Sequence, residues 1–100
     1  MNYLVLAVVI SALLLSGRVF ADPRDSVDPD YAVELVKQGL IVSFDQLLAR
    51  HQVLARNRVL DLELEQTDGV FTYEVLVFHW DGHINVYVFD AVTGELLSND

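Results

Sequence analysis

Two Asp-Gly pairs, Asp68-Gly69 and Asp81-Gly82, each separate runs of alternating or β-branched residues. In that setting Asp-Gly favours a two-residue hairpin turn, because both positions accept the positive φ that strand twist demands. The pairs therefore commit the second half of the chain to a three-stranded antiparallel meander. Residues 59–67 alternate, with Leu60, Leu62 and Leu64 on one side and Asp61, Glu63 and Glu65 on the other. Two-residue turns predict Thr67 opposite Val70, Leu64 opposite Tyr73, Leu62 opposite Val75 and Leu60 opposite Val77. In the second hairpin they place Trp80 opposite His83, Val77 opposite Val86, and Val75 opposite Val88. The inner face is then Leu60, Leu62, Leu64, Phe71, Tyr73, Val75, Val77, Ile84, Val86 and Val88. Both turns put the middle strand on the same face, and a one-residue slip would invert the assignment.

Two short helices are predicted ahead of the strands. Asp28-Pro29 starts the first, with Asp28 accepting from free amides and Pro29 at the first helical position. Ala32, Leu35 and Val36 share one face, and Gly39 closes the helix in the left-handed conformation. Ser43 and Gln46 form a capping box for the second, and Val42 can staple onto Leu47. Phe44, Leu47, Leu48 and Ala55 line its apolar face, beside Leu54. Arg50 and Arg56 suit its C-terminal half. Residues 91–95 form a last turn, and Leu96-Leu97 folds back. The expected fold is α+β, with two short helices on one face of the three-stranded meander.

The 53% hydrophobic content of this 100-residue chain is inflated by its first twenty-one residues. Residues 4–15 are apolar except Ser11, and Val19-Phe20-Ala21 offers a signal-peptidase site, so the expectation is a signal peptide over 1–21. No Lys or Arg precedes the run. The rival is a retained anchor, but the run is shorter than the about 20 residues of a span and closes on Arg18. Cleavage after Ala21 would leave residues 22–28 as a polar tether and 29–100 as the domain. It would remove Arg18 and leave 15 acidic against 5 basic residues, a net charge of −10. Such a chain lacks the clustered Lys and Arg of nucleic-acid binders. The absence of cysteine excludes disulfides, thiol catalysis and thiolate metal sites.

Several segments carry a family resemblance. These are Gly39-Leu40-Ile41, the helix from Ser43 to Leu48, the strand from Val59 to Glu65, Tyr73-Glu74-Val75, Asp81-Gly82 and the ending from Asp90 to Leu97. Together they resemble a PepSY domain over roughly residues 30–97. Asn57-Arg58 departs from the Gly or Pro-Gly common there, which concerns the turn geometry. The resemblance implies a module without catalytic residues. Such modules are associated with inhibition and chaperoning of secreted metallopeptidases, and also occur in bacterial membrane and periplasmic proteins. It therefore implies a periplasmic or secreted protein with a protein partner, either a secreted peptidase or a membrane sensor or reductase. After signal cleavage no membrane association is expected.

The residues themselves point to no reaction. Ser26 lies in the tether, Ser43 caps a helix and Ser98 is near the end, so no nucleophile has an oriented base; no catalytic residues and no cofactor are expected. His79 and His83 invite a metal, but a two-residue turn points His79 inward and His83 outward, and His51 reads as a helix-edge residue. No metal site is therefore expected, although a small-ligand or metal-ion carrier is the alternative class of function. Glu63 falls opposite Glu74, an arrangement that costs a sheet up to about 1 kcal/mol. Solvation accounts for it, and a cation or a basic partner would relieve it. The candidate partner surface is the outer sheet face. Leu76, Phe78, Trp80, Tyr87 and Phe89 form an aromatic patch there, bordered by Glu63 and Glu74. The occupant would be a protein or a second copy. The alternative is that the C-terminal segment or the first helix covers the patch.

Overall fold

The computed structural model describes residues 26–100; the expected signal peptide and residues 22–25 of the tether lie outside the described residues. Helix α1 spans Pro29–Lys37, α2 Phe44–Arg50, and α3 Gln52–Ala55. The strands are β1 (Arg58–Thr67), β2 (Val70–Phe78), β3 (Ile84–Asp90) and β4 (Leu96–Asn99). They form one antiparallel sheet in the order β1-β2-β3-β4. The fold is α+β as expected, with four strands in place of three. The fold-back of Leu96-Leu97 is long enough to pair along β3, and Asp100 exchanges both backbone hydrogen bonds with Val86 (3.0 and 2.9 Å).

The helix signals act as read. Asp28 accepts from the Asp30 amide at 2.9 Å, and Pro29 opens α1. At the other end Gly39, at φ 74°, donates to Val36 O while Leu40 donates to Leu35 O. These paired bonds satisfy two of the carbonyls that a helix end leaves open. The Ser43–Gln46 capping box is complete in both directions. The expected second helix, however, is broken. His51 adopts extended backbone (φ −122°, ψ 105°), so a one-turn α3 follows α2, leaving Ala55 exposed and burying Leu54.

The first hairpin matches its expected register from Thr67–Val70 to Leu62–Val75, with positive φ at both Asp68 and Gly69. Beyond that, a β-bulge intervenes. Val59, not Leu60, pairs with Val77, and Leu60 is the extra, exposed residue.

The second hairpin differs by one residue throughout. Its pairs are Phe78–Ile84, Val77–Asn85, Leu76–Val86, Val75–Tyr87, Glu74–Val88 and Tyr73–Phe89. The cause lies in the loop, which has three residues: Trp80, Asp81 and Gly82. His79 and His83 close it, with His79 N–H on His83 O at 2.8 Å. Gly82 donates to His79 O at 2.9 Å and adopts φ 99°, the form of a three-residue hairpin whose last position is left-handed. Asp81-Gly82 thus ends a longer loop instead of filling a two-residue turn. An odd loop length inverts β3. Tyr87 and Phe89 enter the core, while Ile84, Val86 and Val88, expected inside, face out.

The core lies between the helices and one sheet face, built from Leu35, Ile41, Leu47, Leu54, Leu64, Tyr73, Val75, Val77, Tyr87, Phe89 and Ala91. Tyr73 Oη donates to Val42 O at 2.5 Å, tying β2 to the link between α1 and α2. Burial raises its phenol pKa.

Candidate functional site

Of the residues expected on the outer face, Glu63, Glu74, Leu76 and Phe78 are there. Glu63 lies directly opposite Glu74, as the first hairpin's register required. Tyr87 and Phe89 are not; both are buried on the other face. The inversion of β3 supplies aliphatic replacements: Ile84 opposite Phe78, Val86 opposite Leu76 and Val88 opposite Glu74. The patch is therefore more aliphatic and less aromatic than the sequence suggested. Phe78 and Ile84 at its loop end are the most open, and Ile84 is 53% exposed.

Among the described residues, the two segments expected as possible covers of this face lie elsewhere, although Glu65 on the same face is buried. Helix α1 crosses the inner face, where Ala32, Val33 and Val36 line a cavity of about 530 Å3 together with Phe44, Leu62 and Tyr73. The C-terminal segment is β4, at the sheet edge beyond β3. At the opposite edge, Ser26 bridges to Glu65 and Val27 donates to Leu64 O at 2.8 Å.

Trp80 sits at the loop tip and is 88% exposed. Its position is nonetheless fixed. Its backbone N–H donates to Asn57 Oδ1 at 3.1 Å, and its indole Nε1–H donates to Arg56 O. Asn57 also donates from Nδ2 to Val53 O at 2.9 Å, so its amide joins α3 to the hairpin tip. Asn57 does here by hydrogen bonding what the sequence left open at the departure from the Gly or Pro-Gly pattern.

The longer loop also changes the histidines. His79 and His83 are cross-strand partners on the inner-face side, not on opposite faces, and their rings stack with centroids 4.3 Å apart and planes 8° apart. Tyr87 Oη lies 3.1 Å from His79 Nε2. Asp81 Oδ1 contacts His83 Nδ1 and accepts from the His83 backbone N–H at 3.2 Å. That backbone hydrogen bond, aided by the imidazole, lowers the Asp81 pKa. Rings continue inward from the tip through Tyr87 and Phe89 to His51, whose ring centroid is 4.6 Å from that of Phe89. Among the described residues no group of three or more His, Asp or Glu side chains is placed to hold a metal ion.

His51 has a role that the sequence did not show. Its Nε2 meets Gly94 O at 2.7 Å, and the neighbouring Arg50 Nη1 donates to Thr93 O. The turn they grip is organised by its own residues. Asp90 Oδ1 accepts from Val92 and Thr93, and Asp90 N–H donates to Glu95 O at 2.8 Å. Ala91, fully buried, accepts from Val42 N–H at 2.7 Å. Gly94 has φ 82°, and a Cβ there would stand 2.9 Å from Arg50 Nη1. The Asp90-Ala91-Val92-Thr93-Gly94-Glu95 sequence is thus an anchor for α2, with Asp90 Oδ1 and Thr93 Oγ1 engaged within the turn.

The family model described as peptidase propeptide and YPEB domain, PepSY, matches residues 41–99, more than half of the chain. No curated protein and no solved structure matches it. The matched span begins at buried Ile41 and includes α2, all four strands and the Asp90–Glu95 turn.

Proposed function

Because the chain belongs to the PepSY family, we propose that it is an exported, non-enzymatic regulatory module that acts by protein–protein contact on a secreted peptidase or a membrane protein. The observation that carries this reading is the outer sheet face. Leu76, Phe78, Ile84, Val86 and Val88 lie side by side there, Phe78 and Ile84 exposed and the other three half-buried, next to Glu63 and Glu74. An antiparallel sheet with one solvated face ordinarily alternates to polar residues on that face, and β2 and β3 do not. Large apolar patches on a monomer mark interaction sites. The chemistry of the partner follows from the border: an apolar centre rimmed by Lys or Arg would match the carboxylates of a chain with a net charge of −9.

Phe78→Ser with Ile84→Ser tests the face without entering the core. The expected result is a parental melting curve with partner crosslinking in the periplasm reduced several-fold. Capture equal to the parent, in a folded variant, would remove this face as the docking surface. Sedimentation of the parent protein separates a second copy from a different partner.

Export is part of the same proposal. Among the described residues no helix is long and apolar enough to cross a membrane. The exported protein is expected to begin at Asp22, which intact-mass measurement checks. A species that starts at Met1 and stays with the membrane would exclude it.

A further inference from the structure

Trp80 is almost wholly exposed, yet its indole N–H already donates to Arg56 O, and its backbone N–H donates to Asn57 Oδ1 at 3.1 Å. A tryptophan that becomes buried ordinarily needs a partner for its N–H, and a donor left unpaired on burial is costly. Here the chain itself satisfies that donor, so the ring can enter an apolar site with no polar atom left open. Holding the ring in one orientation also lowers the ordering cost of binding. Tryptophans presented in this way are the usual anchors of protein contacts. The cavity under α1 has the matching properties. It measures about 530 Å3, and Val27, Ala32, Val36, Phe44, Leu62 and Tyr73 supply much of its wall. The Tyr73 hydroxyl is committed to Val42 O and makes no demand on an occupant. The chain is pinned on either side of α1, by Val27 N–H on Leu64 O at 2.8 Å and by Val42 N–H on Ala91 O at 2.7 Å. Water in such an apolar space finds few hydrogen-bond partners, whereas an aromatic ring would bury roughly 150–250 Å2.

We propose that this chain self-associates by inserting Trp80 of one copy into the cavity between α1 and the sheet of a second copy. The charges around the two surfaces are complementary. Arg56 and Arg58 flank the tip, Arg58 directly opposite Phe78, and neither forms an ion pair among the described residues. The charged residues of the cavity lining are Glu63 and Lys37. Glu63 of one copy meets the arginines of the other, and Lys37 meets Asp81, which follows Trp80 in the loop. The contact joins unlike surfaces, so each copy carries both halves of it. One ring in one cavity falls well short of the about 1,200–2,000 Å2 of a stable interface, so the association is weak and needs protein at up to about 1 mM to populate it. Copies with a net charge of −9 repel at long range, and about 0.15 M salt screens that repulsion beyond roughly 8 Å. The contact uses neither Phe78 nor Ile84. The Phe78→Ser, Ile84→Ser variant should therefore still self-associate, which separates failure of this proposal from failure of the outer face.

Trp80 is the chain's single tryptophan, so its fluorescence reports this contact alone. As the parent protein is concentrated toward about 1 mM, its emission should move to shorter wavelength while sedimentation shows species larger than the monomer. Trp80→Ala removes the anchor and Ala32→Phe fills the cavity; each should weaken self-association by at least about tenfold. The two variants keep opposite halves of the contact. Mixed together they should form a one-to-one heterodimer that grows no further, with the emission of the Ala32→Phe copy shifted as in the parent. If Ala32→Phe fails to fold, Val33→Lys takes its place, since Val33 lines the cavity from an exposed position. A parent protein that stays monomeric with unshifted emission at about 1 mM would overturn the proposal. So would self-association undiminished in folded Trp80→Ala, or a mixture of the two folded variants that does not pair.

Discussion

Phe89→Ala is expected to destabilise the domain by about 3–5 kcal/mol, the cost of emptying a buried aromatic site. Phe89 is 0% exposed, pairs across the sheet with Tyr73, and lies between His51 and Tyr87 in the file of rings. Its loss would leave a cavity where α2 meets β3, and those elements cannot close over it without moving the Asp90–Glu95 turn. Val88→Ala, one position away, should cost only about 1 kcal/mol, because that half-buried side chain belongs to the outer face. Urea unfolding of both variants measures the contrast. A larger loss at Val88 than at Phe89 would show that β3 is in the register of a two-residue turn after all.

Val75→Asp should abolish cooperative folding. Val75 is fully buried at the centre of β2, between Leu62 of β1 and Tyr87 of β3. A carboxylate there has no cation among its sheet neighbours, and an unpaired buried charge costs several kcal/mol. Domains are held by only about 5–15 kcal/mol in all. The expected result is a featureless thermal profile by circular dichroism at neutral pH. A melting curve equal to the parent's would contradict the face assignment of β2, the strand both hairpins depend on.

The pattern of what could be read ahead of the structure follows from how far each signal reaches. Capping and turn chemistry is local: Asp28, Ser43 with Gln46, Gly39 and Asp68-Gly69 each act on backbone within a few residues. All of these behaved as their residue types require. Faces of strands depend instead on counting, and one uncounted residue inverts a whole strand. Trp80 was that residue. β3 gave no warning, because Ile84, Val86 and Val88 are as apolar as Tyr87 and Phe89. The bulge at Leu60 escaped for the same reason, since Val59 and Leu60 are equally suited to the core. The break at His51 is a tertiary effect. Extended backbone there carries its ring to Phe89 and its Nε2 to Gly94, contacts that helical spacing within residues 44–55 cannot foresee.

The outer face was therefore located correctly by β1 and β2 and misassigned along β3. Its carboxylates, with Leu76 and Phe78, came from the hairpin whose turn was sound. The expected faces of His79 and His83 rested on the hairpin whose loop is one residue longer. One extra loop residue, Trp80, places Tyr87 and Phe89 in the core and His83 beside His79.

The grip of Arg50 and His51 on Thr93 and Gly94 joins positions 43 apart in sequence. A chain made from its N-terminus presents α2 long before the turn that holds it. Until Thr93 and Gly94 are made, Arg50 and His51 lack these two carbonyl partners. The domain consequently closes as a unit, once the Asp90–Glu95 turn is in place. The hold on α2 therefore comes from backbone made only after all of β1, β2 and β3.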